Sequence, residues 1–234
     1  NVTYKGGKGN DYVEFQQGNV SATGGDGNDT FAFINTQNNS TLTTADSIVG
    51  GAGTDTIQVG VNGAGNYNLD TTEFNNKSGI DVLDLRGNTN TVRLADAFVG
   101  AADAGLVVRT DKIVQTSDTN TANSSTATAN NGLENNSTNT VTLTALAANR
   151  AIEFIGGSGS DRIVVNEVSL NSNVKLDGGT NLTTTGRFDT ITVQDSAVLS
   201  SGDLAQVKNF EGIVLVKSDA NSARQYTIEV TEAF

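Results

Sequence analysis

The chain has 234 residues with 14 basic and 26 acidic side chains, a formal charge of −12 at neutral pH, and no His, Cys, Met or Pro. That charge excludes a phosphate-gripping nucleic-acid surface and attachment to anionic lipid, both of which need Lys and Arg. Without His or Cys there is no imidazole or thiolate for catalysis or metal ligation, and no disulfide.

Apolar residues make up 36% of the chain, mostly as Val, Ile, Leu and Ala, and there are 26 glycines. Thr and Val favour strands, and Gly and Asn favour turns, so the composition reads as all-β and turn-rich. No apolar run approaches the roughly 20 residues of a membrane span. No signal peptide is visible at the N-terminus, and the missing Met reads as a processed product or a piece of something longer.

In chain order, a glycine–acid motif opens at Gly6 (GGKGND), recurs at Gly24 (GGDGND) and Gly50 (GGAGTD), and returns at Gly156 (GGSGSD). A short alternating segment follows each one: Tyr12–Phe15, Thr30–Phe33, Thr56–Val59 and Arg162–Val165. Alternation predicts strands with one buried face, led by Val13, Phe31, Ile57 and Ile163. Segments this short must stack on one another to persist. The first two motifs lie 18 residues apart, which is one full coil of two nonapeptide half-turns.

Between motifs, two blocks share a plan. GTDTIQV (53–59) leads to FNNKSGIDVLDL (74–85), and RFDTITV (187–193) leads to VKNFEGIVLV (207–216), with a Phe near a Gly-Ile pair in each. Each excursion is expected to hold a short helical turn, at Asp70–Phe74 and at Ser201–Val207 with Ser201 as N-cap. Residues 116–140 form a polar stretch, read as a surface insertion between motif-rich parts at 1–94 and 139–234. The C-terminal YTIEVTEAF reads as a last strand rather than an export signal.

The motif has a chemistry. Calcium is a hard cation that takes six to eight oxygens from carboxylates and main-chain carbonyls. Glycines let the backbone curl so that carbonyls can face inward, and the Asp adds charge where the loop becomes a strand. The candidate ligand turns are Gly6, Gly7, Gly9 and Asp11; Gly24, Gly25, Asp26, Gly27 and Asp29; Gly50, Gly51, Gly53 and Asp55; and Gly156, Gly157, Gly159 and Asp161. In a stretched fifth copy, Gly178-Gly179-Thr180-Asn181 is separated by Leu182–Phe188 from Asp189, making Gly178 and Asp189 the candidates there. Asp11 and Asp29, one coil apart, are the clearest pair to share an ion.

These four copies of GGxGxDx(apolar)x resemble the repeats-in-toxin calcium-binding β-roll family. The resemblance implies a right-handed parallel β-roll or β-helix solenoid, continuous over 1–234, with several calcium ions in its glycine turns and loop insertions between them. It also implies folding coupled to calcium and a secreted protein of the bacterial cell surface. The glycine–acid turns alternating with Phe…Gly-Ile strands resemble bacterial surface-layer proteins and large surface adhesins. The expected role is a structural surface-layer fragment that self-associates. The alternatives are an adhesin domain binding a glycan or protein, and a noncatalytic secretion and folding module of a secreted enzyme. Catalysis is not expected. The acids sit in repeated turns, Arg109 and Arg150 have no catalytic partners in sequence, and no nucleophile elbow, P-loop or zinc motif is present.

Overall fold

A computed structural model of the chain describes residues 1–34, 42–60, 65–102, 105–110, 137–147, 149–157, 159–166, 170, 172–179, 188–194, 198–199, 204–216 and 227–228. Most of the polar stretch 116–140, the loop 182–187, Ser201 and most of YTIEVTEAF lie outside the described residues.

The protein is nearly all β, and its strands pair in parallel. Three sheets carry the architecture. An eight-stranded sheet takes Tyr12–Phe15, Thr30–Phe33, Thr56–Val59, Val82–Leu85, Leu106–Arg109, Ile152–Ile155, Val174–Asp177 and Val207–Lys208. A four-stranded sheet takes Val2–Lys8, Val20–Asp26, Ser47–Ala52 and Lys77–Ser78. A six-stranded sheet takes Asn66–Leu69, Thr89–Ala95, Thr138–Thr144, Ser160–Asn166, Thr190–Gln194 and Gly212–Val216. Up to Val59 the chain shuttles between the four- and eight-stranded sheets. Between Asn66 and Ala95 it visits all three, and afterwards it shuttles between the eight- and six-stranded sheets, apart from Val198–Leu199, which pairs with Thr227–Ile228 in a sheet of their own. No helix among the described residues is long and apolar enough to cross a membrane.

Register holds the core together. Val13, Phe31, Ile57, Leu83, Val108, Phe154 and Leu176 follow one another across the eight-stranded sheet. Leu69, Val92, Val141, Ile163, Ile191 and Ile213 do the same across the six-stranded sheet. Nearly all of these are buried, with Val13 and Ile213 packed partly exposed against the cluster. Each fully buried side chain contributes about 1.5–3 kcal/mol by leaving water. Of the four residues expected to lead the buried strand faces, Val13, Phe31 and Ile57 share the first column, whereas Ile163 belongs to the second.

The Asp70–Phe74 excursion forms a 3-10 turn over Thr71–Phe74. The Asp70 carboxylate accepts the Thr71 N–H at 2.7 Å and Glu73 accepts the Asp70 N–H at 2.8 Å, a reciprocal cap. Phe74 then packs on Phe98 with ring centroids 4.6 Å apart. Leu204 is helical in the second excursion. The shared plan of the two blocks needs a correction in its alignment. Gly79-Ile80-Asp81 corresponds to Asn209-Phe210-Glu211, because Gly79 stacks on Gly50, Asn209 stacks on Gly178, and both acids join ladders described below. The Gly-Ile of 212–213 lies one step later, in the six-stranded sheet beside Thr190 and Ile191.

One buried cation pins the four-stranded sheet. The Lys77 ammonium donates to the carbonyls of Thr43 at 2.8 Å, Asp46 at 2.7 Å and Asn75 at 3.0 Å. Burial pulls its pKa down to about 8, against the attraction of Asp46 and Glu73. The Asp46 carboxylate beside it accepts the main-chain N–H groups of Val20 and Thr43, both at 2.7 Å. Lys77→Met keeps the apolar stem and strands three carbonyls. Urea denaturation is expected to show a loss of about 2–4 kcal/mol; a variant as stable as the parent would remove Lys77 from this role.

Candidate metal site: two columns of glycine–acid turns

The three early motifs each lead from the four-stranded into the eight-stranded sheet, so they stack in one column. Gly7, Gly25 and Gly51 are in register, as are Lys8, Asp26 and Ala52. The motifs at Gly156 and Gly178 lead from the eight-stranded into the six-stranded sheet and form a second column at a different edge. Sequence reasoning treated all five as one series. Which sheets flank a turn is decided by the detour through 66–95, and no motif residue encodes it.

Within a column the turns touch backbone to backbone. A side-chain carbon on Gly25 would collide with the Gly7 carbonyl, on Gly51 with the Gly25 carbonyl, on Gly27 with the Gly9 carbonyl, and on Gly53 with the Gly27 carbonyl. In the second column Gly179 meets Gly157 in the same way, and Gly159 meets Ser137. The first glycine of every motif obeys a further rule. The space where its side chain would stand is taken by the carboxylate Oδ2 of its own motif and by a carbonyl oxygen from the next rung. At Gly6 these are Asp11 and Gly24; at Gly24, Asp29 and Gly50; at Gly50, Asp55 and Gly79; at Gly156, Asp161 and Gly178; at Gly178, Asp189 and Asn209.

The other carboxylate oxygen builds a ladder. The Asp11 N–H donates to Asp29 Oδ1 at 2.8 Å, the Asp29 N–H to Asp55 Oδ1 at 2.8 Å, and the Asp55 N–H to Asp81 Oδ2 at 2.9 Å. In the second column the Asp161 N–H donates to Asp189 Oδ1 and the Asp189 N–H to Glu211 Oε2, both at 2.7 Å. Asp29, Asp55, Asp161 and Asp189 are at most 1% exposed, so these are buried acids. Asp29 Oδ2 is buried with no hydrogen-bond partner. Asp26 stands apart, exposed on the rim of its turn. Among the described residues no three acids gather closely enough to hold an ion unaided; they are dealt out one per rung. Any ion site here must therefore draw on main-chain oxygens as well.

Sequence reasoning missed how each ladder ends. Asp81 and Glu211 turn their own N–H groups back to the carbonyls of Asp55 and Asp189, at 2.9 and 3.1 Å. Both follow a buried apolar residue, Ile80 or Phe210, and a residue in the left-handed region, Gly79 at φ +61° or Asn209 at φ +58°. The three-residue turn replaces the six-residue motif and closes the column. It also missed Asn90 and Asn139, which precede Asp161 in the second column. The readable signal was the repeated string Thr-Asn-Thr-Val at 89–92 and 138–141.

Burial drives the electrostatics. Desolvation pushes the Asp161 carboxyl up to about 6, against hydrogen bonds from Asn139, Gly157 and Thr110 that pull it down. No protein-family model, curated protein or solved structure matches this chain, so the functional reading rests on the motifs and on this geometry.

Two outcomes are expected. Gly25→Ala should destabilise far more than Gly7→Ala. Both have positive φ, +124° and +149°, but only Gly25 meets a neighbouring carbonyl, while nothing lies within 4 Å of a side-chain carbon at Gly7. Thermal denaturation should show about 1–2 kcal/mol lost at Gly7 from strain alone and a larger loss at Gly25; equal losses would contradict the stacking account. The second concerns pH. An unfolded Asp titrates near 3.9, so between about 4 and 6 the folded, metal-free chain holds a proton that the unfolded chain has released. Stability from Asp161 is then present at low pH and lost as pH rises through about 6, by roughly 2–3 kcal/mol. Denaturation in chelator at several pH values, wild type against Asp161→Asn, should show this slope only in the wild type.

Proposed function

We propose that the chain is a noncatalytic, calcium-stabilised structural module of a secreted bacterial cell-surface protein, built as a closed right-handed parallel β-solenoid and assembling with copies of itself into a surface layer. The observation that carries this reading is that a carboxylate oxygen of its own motif and a main-chain carbonyl oxygen from the next rung share the side-chain space of every first glycine, the acids being buried at Asp29, Asp55, Asp161 and Asp189. Two acceptors that face each other without a proton between them repel. A hard divalent cation turns that repulsion into ligation. Calcium suits the place better than magnesium, because it accepts irregular sets of carboxylates, carbonyls and water, whereas magnesium demands a near-ideal octahedron.

Asp11, Asp29 and Asp55 would hold ions in the first column, and Asp161 and Asp189 in the second, each with the carbonyl of the next rung, at Gly24, Gly50, Gly79, Gly178 and Asn209 in turn. The unpartnered Asp29 Oδ2 supports this most directly. Calcium would supply positive charge and fill these oxygens' empty coordination; the chain's own residues set the spacing and exclude water. Binding energy adds to folding stability, by about 2.7 kcal/mol per site at one hundred times Kd. The chain would then stay loose where calcium is scarce and stiffen outside the cell. Assembly is supported by strands at sheet ends. Val2–Lys8, Tyr12–Phe15 and Gly212–Val216 each pair on one side among the described residues, and Val2, Tyr12, Val214 and Leu215 on them are exposed.

Calorimetry is expected to find several bound calcium ions, and melting followed by circular dichroism to fall to a lower temperature in chelator and to recover when calcium is restored. Electron microscopy in calcium is expected to show two-dimensional ordered sheets. Unchanged stability in chelator would defeat the calcium reading. Calcium-bound particles that bind glycans but never assemble would defeat the lattice and favour an adhesin.

A further inference from the structure

We propose, resting on the calcium reading, that Asn139, with Asn90 behind it, is a built-in substitute for a bound cation, so that the second column needs calcium only at its acidic end. The two columns differ in their leading rungs. The first carries an acid on every rung, at Asp11, Asp29, Asp55 and Asp81. The second runs Asn90, Asn139, Asp161, Asp189, Glu211, with Asn90 beside Asn139 and Asn139 beside Asp161 in the sheet register.

A carboxylate can only accept. On an acid rung one oxygen takes the neighbouring N–H, and the other is left against a carbonyl, as Asp29 Oδ2 is at Gly24 beside the Gly50 carbonyl. Successive carboxylates at a rung spacing of roughly 4.8 Å also repel.

An amide supplies donors and carries no charge, and only Asn90 Oδ1, at the head of the column, is left buried without a partner of its own. Asn90 Nδ2 donates to Asn139 Oδ1 at 2.7 Å and to the Gly87 carbonyl at 3.0 Å. The space a side-chain carbon on Gly87 would take holds Asn90 Oδ1, here beside the Tyr67 ring instead of a carbonyl from the next rung. Asn139 Nδ2 donates to Asp161 Oδ1 at 2.7 Å. Side-chain N–H groups here bridge oxygen to oxygen, the task assigned to calcium in the first column, and they add no charge. Asn90 and Asn139 are at most 1% exposed, so these bonds lie out of reach of solvent. At the junction, Asp161 receives Asn139 and the Thr110 hydroxyl on Oδ1 and the Gly157 N–H on Oδ2. Asp29, within the all-acid column, has one donor.

The test exchanges the two chemistries in the intact chain and reads stability and stoichiometry. Asn139→Asp should bind one more calcium ion by titration calorimetry. It should melt below the wild type in chelator, and it should recover in millimolar calcium, so that its calcium-induced shift in melting temperature exceeds the wild-type shift. Asp29→Asn, which places an N–H beside the Gly50 carbonyl, should bind one ion fewer and melt above the wild type in chelator. Asn139→Asp as stable as the wild type in chelator, or equally destabilised with and without calcium, would overturn the inference. Asp29→Asn losing its ion with no gain in chelator would do the same. If the wild type shows no calcium response, the underlying reading fails and takes this inference with it. A wild type that responds while the variants do not follow the pattern defeats the inference alone.

Discussion

Asp29, Asp55 and Asp189 each accept the main-chain N–H of the acid one rung before, while the second oxygen of every glycine-turn acid occupies the side-chain space of its own first glycine. The two halves of this arrangement require each other. A carboxylate reaches the neighbouring amide only because no side chain stands at Gly24 or Gly178. The turns can stack at strand spacing only because Gly25 and Gly51 leave room for the carbonyls of the rung before. Parallel pairing, the buried column from Val13 to Leu176 and the matching column in the six-stranded sheet all inherit their register from these corners.

Such a ladder buries negative charge, and the chain meets that cost in different ways at different corners. Near the first column, Lys77 brings a covalently attached cation to three carbonyls and stands close to Asp46. At the head of the second column, Asn90 and Asn139 carry protons instead of charge. Elsewhere the acids stand one per rung, and a diffusible divalent ion suits the oxygens they leave over. A fixed device makes its part of the fold independent of conditions. A diffusible one lets the surroundings decide when the structure stiffens.

Column ends follow the same logic. A six-residue turn passes its acid's N–H onward to the next carboxylate and so invites another rung. The three-residue turns at Gly79-Ile80-Asp81 and Asn209-Phe210-Glu211 send that N–H backward and fill the vacated space with an apolar side chain. Two unrelated tripeptides reach the same shape because each offers a left-handed residue, a hydrophobe and an acid in that order.

Much of this was legible in the chain itself. The glycine–acid copies are local and complete, so their turns, the strands after them and the inward places of Phe31, Ile57 and Ile163 followed from spacing and alternation alone. So did the short helical turn at Asp70–Phe74, though not the Asp70 cap that starts it. What the sequence could not determine was which copies lie together. Column membership depends on the path through 66–95, where one extra strand in the six-stranded sheet moves every later turn to a different edge. Asn139 was not read as a ladder residue because its partners, Asn90 and Asp161, lie 49 and 22 residues away, and the Thr-Asn-Thr-Val string it shares with Asn90 gains meaning only in the stacked register. Asp81 and Glu211 were hidden for the same reason: an acid after a hydrophobe is ordinary in sequence, and only stacking against Asp55 and Asp189 gives it a role. Local backbone chemistry is written in neighbouring residues, whereas register between distant rungs is decided by which buried faces and hydrogen-bond donors can meet once the sheets have formed.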